Sequence, residues 1–249
     1  MQTHIYPGAQ EAASNAAMKG ASLIKSAIAA RGEAFIVLAT GASQFTLLEQ
    51  LVADTGIDWP RVSVFHLDEY VGIDETHPAS FVRYLRERFL AKVPGVKDIV
   101  FIHGNQGDVR AEIERVNHAI SGVQIDVAFV GIGENGHLAF NDPPADFETE
   151  MPFIAVELDE KCRWQQTNEG WFATFDDVPT HAISMSVRQI MKSTAIICTV
   201  LDDRKAEAAK WTIEGEVSNL HPASILQTHE NAFIFLDRSA AAQLSSEQG

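Results

Sequence analysis

Along this chain, short apolar runs alternate with longer stretches whose apolar residues recur every three or four positions. The short runs, at 35–39, 62–67, 99–103, 126–131, 153–158, 182–185, 195–200 and 232–236, predict strands. The longer stretches, at 9–30, 44–54, 79–92, 108–121, 186–192 and 203–214, predict helices. The first helix is rich in alanine, and the third places Phe81, Leu85 and Phe89 on one face. Strands that are apolar throughout are buried on both sides, and strands separated by helices pair in parallel. The expected fold is therefore α/β, an open, mainly parallel, Rossmann-like sheet in three layers with helices on both faces. No repeat, low-complexity run or Pro/Gly/Ser-rich linker divides the chain, so residues 1–249 read as a single domain. Residues 144–180 hold Trp164, Trp171, Phe172 and Phe175 among polar neighbours. They read either as a lid over a pocket or as loops packed by their own aromatics.

Ligands of an open parallel sheet bind beyond the carboxyl ends of its strands. Three unusual segments fall on that rim: Thr40-Gly41-Ala42-Ser43, Asp68-Glu69-Tyr70, and Gly131-Ile132-Gly133-Glu134-Asn135-Gly136-His137. The first precedes a helix, whose free amides and positive end suit a phosphate, with Thr40 and Ser43 adding hydroxyls. It reads equally as a tight turn with Ser43 as helix cap. Its spacing matches neither the dinucleotide fingerprint nor the P-loop, so NAD and ATP are not expected. In the second segment, neighbouring residues at a strand end point to opposite faces, so only one of Asp68 and Glu69 enters a pocket. There it acts as a general base if desolvated, or remains a solvated turn acid. In the third, the glycines allow close approach of a ligand, and His137 stands at the mouth of the site. Histidine is the side chain suited to taking and returning a proton near neutral pH, and Asp142 or Glu134 could orient the ring. Lys205, opening the last long helix, either reaches the rim to bind an anion or is solvated.

Charge narrows the partners. The chain carries 34 acidic against 19 basic residues, a formal net charge of −15. A nucleic-acid partner needs a basic face and is not expected, whereas a small anion can bind in a locally positive pocket. His77, His103, His118, His181, His221 and His229 stand apart without metal-ligand spacing, so no metal site is expected. Two cysteines, Cys162 and Cys198, lack a CxxC spacing and fit a reduced, cytoplasmic setting. No signal peptide and no membrane-length apolar run is visible. Assembly into a homo-oligomer stays open.

Taken together, these segments resemble the glucosamine-6-phosphate deaminase family, in the superfamily that also holds 6-phosphogluconolactonase. The resemblance rests on Leu38-Ala39-Thr40-Gly41-Ala42-Ser43, Leu67-Asp68-Glu69-Tyr70-Val71-Gly72 with His77-Pro78, the run from Gly131 through His137-Leu138-Ala139-Phe140-Asn141-Asp142-Pro143, and Arg204-Lys205. It implies an α/β fold and conversion of glucosamine 6-phosphate and water to fructose 6-phosphate and ammonia, without metal or organic cofactor. It further implies that His137 assists ring opening, with Asn135 and Asp142 beside it. Asp68 would move a proton between C2 and C1. Thr40, Gly41, Ala42, Ser43 and Lys205, with Glu69 and Gly136 nearby, would hold the sugar phosphate.

Three departures stand out. Many members carry Asp where this chain has Asn135, and Glu where it has Asp142. In Arg163-Trp164-Gln165-Gln166-Thr167-Asn168, Asn168 falls where a phosphate-binding arginine is expected, and Arg163 is the candidate substitute. Residues 144–152 lack the basic residues of the allosteric site found in some members, so N-acetylglucosamine 6-phosphate is not expected to activate. Two alternatives are a 6-phosphogluconolactonase, whose histidine motif usually continues Thr-Ala-Ser, and a catalytically silent sugar-phosphate-binding regulator. Phe140-Asn141-Asp142-Pro143 and the presence of both Asp68 and His137 favour the deaminase.

Overall fold

A computed structural model describes residues 1–105 and 107–245. The unit expected over 1–249 thus extends at its end beyond the described residues. Among the described residues, ten strands and seven α-helices follow one another as β1 (Gln2–Tyr6), α1 (Ala9–Arg31), β2 (Ala34–Leu38), α2 (Phe45–Ala53), β3 (Val62–His66), β4 (Asp68–Tyr70), α3 (Phe81–Leu85), β5 (Asp98–Val100), α4 (Val109–Ile120), β6 (Val127–Gly131), β7 (Phe153–Glu157), α5 (Glu160–Asn168), β8 (His181–Met185), α6 (Val187–Met191), β9 (Ala195–Val200), α7 (Ala206–Glu214) and β10 (Ala232–Asp237). Past Leu85, α3 continues as a π-helical turn over Arg86–Leu90.

Seven strands form a sheet in the order β1-β10-β9-β6-β2-β3-β5, and every pairing in it is parallel. Alternate residues serve opposite faces. Ile36, Leu38, Val127, Phe129 and Ile197 join α1, α2 and α3 in one core, while Val37, Ala128, Val130, Ile196 and Cys198 join α4, α6 and α7 in the other. This is the expected three-layer arrangement. The alanine-rich face of α1 lets the helix lie close to the sheet, and a Cβ added at Gly20 would overlap the Phe129 ring.

The runs at 153–158 and 182–185 do not join that sheet. They form β7 and β8, which pair antiparallel with each other and with β4 in a second sheet of three strands. Alternation in β7 between half-buried Ile154 and Val156 and exposed Ala155 and Glu157 marks a strand with one solvated face, as antiparallel sheets allow. An aromatic core of Tyr70, Phe81, Phe140 and Phe172 sits between this small sheet and α5.

Candidate active site

Beyond β2 the chain first builds outward through β3 and β5, then returns to the other flank of β2 with β6, β9 and β10. The reversal between β2 and β6 opens a crevice at the strand ends, where ligands of such sheets bind. The connections after β2, β3, β6 and β9, roofed by α5, form a cleft open to solvent. Thr40, Gly41, Ala42, Ser43, Asp68, His137, Arg204 and Lys205 all line it.

Asp68 opens β4 and pairs in register with Ser184. It is 6% exposed, and no group among the described residues donates a hydrogen bond to its carboxylate. Burial, then the neighbouring Glu69 charge, pushes its carboxyl up to about 8. Strand alternation turns Glu69 the other way. Its carboxylate accepts from Tyr70 N–H at 2.9 Å, Ser80 Oγ–H at 3.0 Å and Val82 N–H at 2.9 Å, which secures the start of α3. Burial raises its carboxyl to about 7 against the opposing pull of those bonds. Glu69, expected beside the ligand, is therefore a packing residue behind Asp68, and one acid of the pair enters the cleft.

His137 and Asp142 form a dyad. His137 Nδ1 lies 2.9 Å from Asp142 Oδ1, and both side chains are largely buried. Asn135 Nδ2 donates to the same Asp142 oxygen and to Asp159, each at 2.9 Å, while the Asp159 amide donates to the other Asp142 oxygen at 2.9 Å. Burial alone would raise the Asp142 carboxyl, but the hydrogen bond and charge of His137, with these other donors, hold it below its ordinary range. An ionised partner at Nδ1 assigns the proton there and leaves Nε2 for the cleft. The ring lies directly against Gly133, where an added Cβ would overlap it. Asn135 donates to Asp142 behind the ring, accepts from the His137 amide at 3.1 Å and does not line the cleft, so its expected catalytic role narrows to positioning. Gly136 likewise serves the backbone: its φ of +84° carries the turn that brings His137 round.

The Thr40–Ser43 turn is glycine-dependent, with Gly41 at φ +105°. A short 3-10 turn over Ala42–Gln44 leads into α2, and no side chain caps either helix start. Ser43 is thus not the helix cap, and the Thr40 hydroxyl oxygen is buried without a partner among the described residues. Two further cleft residues, Ala139 at φ 53° and Asp202 at φ 72°, hold left-handed backbone that non-glycine residues rarely adopt. Such strain, about 1–3 kcal/mol each, concentrates at functional sites.

Lys205 is 5% exposed, and burial lowers its pKa while Glu169 opposes that shift. Among the described residues, His137, Asp142 and Cys162 alone place three metal-type donor atoms within 4.8 Å of one another. Burial and the adjacent carboxylates of Asp142 and Asp159 hold the Cys162 thiol in its protonated form, and Asp142 is engaged by three donors. The chemistry fits a hydrogen-bonded network better than a metal centre.

A profile described as glucosamine-6-phosphate isomerases/6-phosphogluconolactonase matches residues 7–235. The chain belongs to this family. It is 33% identical over 223 residues to a glucosamine-6-phosphate deaminase of Streptococcus equi subsp. equi, covering 90% of this chain and 92% of that one. A glucosamine-6-phosphate deaminase of Streptococcus pneumoniae is 34% identical over 215 residues, covering 86% and 89%. The fold superposes on a monomeric glucosamine-6-phosphate deaminase with TM-score 0.89 at 29% identity, covering 97% of this chain and 99% of that one. A Trypanosoma brucei 6-phosphogluconolactonase shares the fold with TM-score 0.80 at 15% identity, covering 98% of each chain.

Within the glucosamine-6-phosphate isomerase/6-phosphogluconolactonase family fold, Arg163 does not replace the missing arginine. Its guanidinium donates to the Phe175 and Val178 carbonyls at 3.0 Å and stacks over the Phe175 ring, away from the cleft. Asn168 is exposed at the end of α5. The sequence reading missed α5 altogether, and with it Gln165, Gln166 and Glu169, which line the cleft. Gln165 accepts from the Glu134 amide at 3.0 Å, and Gln166 accepts from the Tyr70 hydroxyl at 2.6 Å. A helix start at Asp159, which caps the Cys162 amide, was the signal that could have exposed them.

Proposed function

We propose that the chain is a glucosamine-6-phosphate deaminase, converting glucosamine 6-phosphate and water to fructose 6-phosphate and ammonia. One observation carries the reading: a buried, unpartnered carboxylate, Asp68, lines the same cleft as a carboxylate-oriented histidine. His137 Nε2 takes the proton of the sugar's anomeric hydroxyl and returns it to the ring oxygen, opening the ring. Asp68, ionised, removes the proton on C2 and delivers it to C1, while a proton leaves the amine and the aldehyde oxygen gains one, so that C1 becomes an alcohol and C2 an imine. Water adds at C2 and ammonia leaves. A single base serving adjacent carbons needs the sugar held still, and the Thr40–Ser43 turn with Lys205 supplies an anchor for the phosphate.

The roof narrows the lid expectation. Within 144–180, Phe153–Glu157 is a sheet strand, so closure would fall to α5 and the turn after it. No helix among the described residues is long and apolar enough to cross a membrane, and both cysteines are free and buried, which supports a cytoplasmic setting. The test is incubation with glucosamine 6-phosphate while measuring ammonia and fructose 6-phosphate. Stoichiometric release, lost in Asp68→Asn, is expected. No release, with rapid hydrolysis of 6-phosphogluconolactone, would overturn the assignment.

A further inference from the structure

At the cationic end of the cleft, each positive side chain already has a carboxylate. Arg204 meets Asp202 at 2.9 Å and Glu134 at 3.6 Å. Lys205 Nζ lies 3.9 Å from Glu169 Oε1, and both side chains are almost wholly buried. Glu169 does not depend on Lys205 for its place. Gln165 Nε2 donates to Oε1 at 2.8 Å and Trp171 Nε1 donates to Oε2 at 3.0 Å, which fixes the carboxylate from both sides.

We propose that Glu169 is a specificity-determining residue that holds Lys205 and competes with the substrate's phosphate for it. The proposal rests on the deaminase reading for the identity of that substrate. An anion docking on Lys205 arrives within a few ångströms of a fixed like charge in a poorly hydrated pocket, where repulsion is strong. Binding then requires either displacement of Glu169 from its two donors or acceptance of that repulsion. Bare phosphate has only its own contacts with which to offset this. A sugar phosphate brings its amine and hydroxyls to Asp68 and His137 as well. Glu169 thereby discriminates against free phosphate in favour of the complete substrate.

The experiment titrates inorganic phosphate into the intact protein by calorimetry, comparing wild type with Glu169→Gln. That substitution keeps the side-chain shape and removes the charge. Phosphate affinity is expected to rise about tenfold, the equivalent of one like-charge contact in a half-screened pocket. The gain should largely vanish when Lys205→Met is added. With glucosamine 6-phosphate, the change should fall on KM more than on kcat, a split that a merely structural residue would not produce. If Glu169→Gln does not fold, Trp171→Phe, which frees one carboxylate oxygen, must raise phosphate affinity by a smaller factor. Unchanged or weaker phosphate binding by the folded variant overturns the proposal. Absence of deaminase turnover in wild type would instead count against the substrate assignment, and the phosphate titration would still decide the role of Glu169.

Discussion

Replacing Asp68 by asparagine should make the protein more stable as it destroys the activity. The native state holds the Asp68 proton up to about pH 8, whereas an unfolded chain releases it near 4. Between those values the unfolded state carries fewer protons, so stability is full below about pH 4 and declines as pH rises toward 8. At about 1.4 kcal/mol per unit, the deficit reaches about 3 kcal/mol at pH 6 and about 5 kcal/mol at pH 8. Those figures are upper bounds, since Asp68 lines an open cleft where water can hydrate its charge. Asparagine is neutral throughout. Asp68→Asn is therefore expected to exceed wild type by about 2–5 kcal/mol at pH 8 and by about 1 kcal/mol or less at pH 5. In a chain of 249 residues this corresponds to a Tm advantage of about 5–15 °C at the higher pH. Urea unfolding and calorimetry at pH 5, 6.5 and 8 measure the margin, and the same samples should lose about 10²- to 10⁴-fold in turnover. A margin that does not grow with pH, or a variant less stable than wild type at pH 8, would refute the claim that Asp68 is a desolvated, unpartnered carboxylate.

Because the base must be ionised, kcat/KM should rise about tenfold per pH unit on its acid side and bend near pH 8, leaving roughly a tenth of the plateau at pH 7. Glu69→Gln removes the adjacent like charge, so the bend should move to lower pH; a stopped-flow or coupled-assay profile with an unmoved bend rejects the coupling. Gly133→Ala places a methyl against the His137 ring and is expected to cost about 1–3 kcal/mol in folding stability together with most of the turnover. Thermal unfolding and steady-state rates near wild type would show that the ring does not lie on that backbone. Adding N-acetylglucosamine 6-phosphate should leave the velocity curve unchanged, since residues 144–152 offer no basic side chain to hold its phosphate; activation would locate an effector site elsewhere.

What the sequence revealed follows from which faces of each element are dry. The strands at 35–39, 62–67, 126–131, 195–200 and 232–236 are buried on both sides, so their apolar runs are continuous and their helices periodic. β1 escaped notice because Gln2, Thr3 and His4 sit on an edge strand with little to bury. Strand parity correctly separated Asp68 from Glu69, because alternation holds whatever the strand pairs with. It could not show that β4, β7 and β8 form their own sheet, which depends on long-range pairing. Arg163 shows the limit for charge: a guanidinium satisfied by two backbone carbonyls looks, in sequence, like one free to bind phosphate. The deepest omission was α5. Its buried residues are Cys162, Gln165 and Gln166, so hydrophobic periodicity carries almost no trace of it. That silence has a cause. A helix that faces a wet, charged cleft must present polar side chains inward, and the better it serves the site, the less it resembles a core helix. The rim turns announce themselves through glycines and a lone histidine, whereas the opposing wall, with Glu169 at its end, becomes visible only when the chain is folded over them.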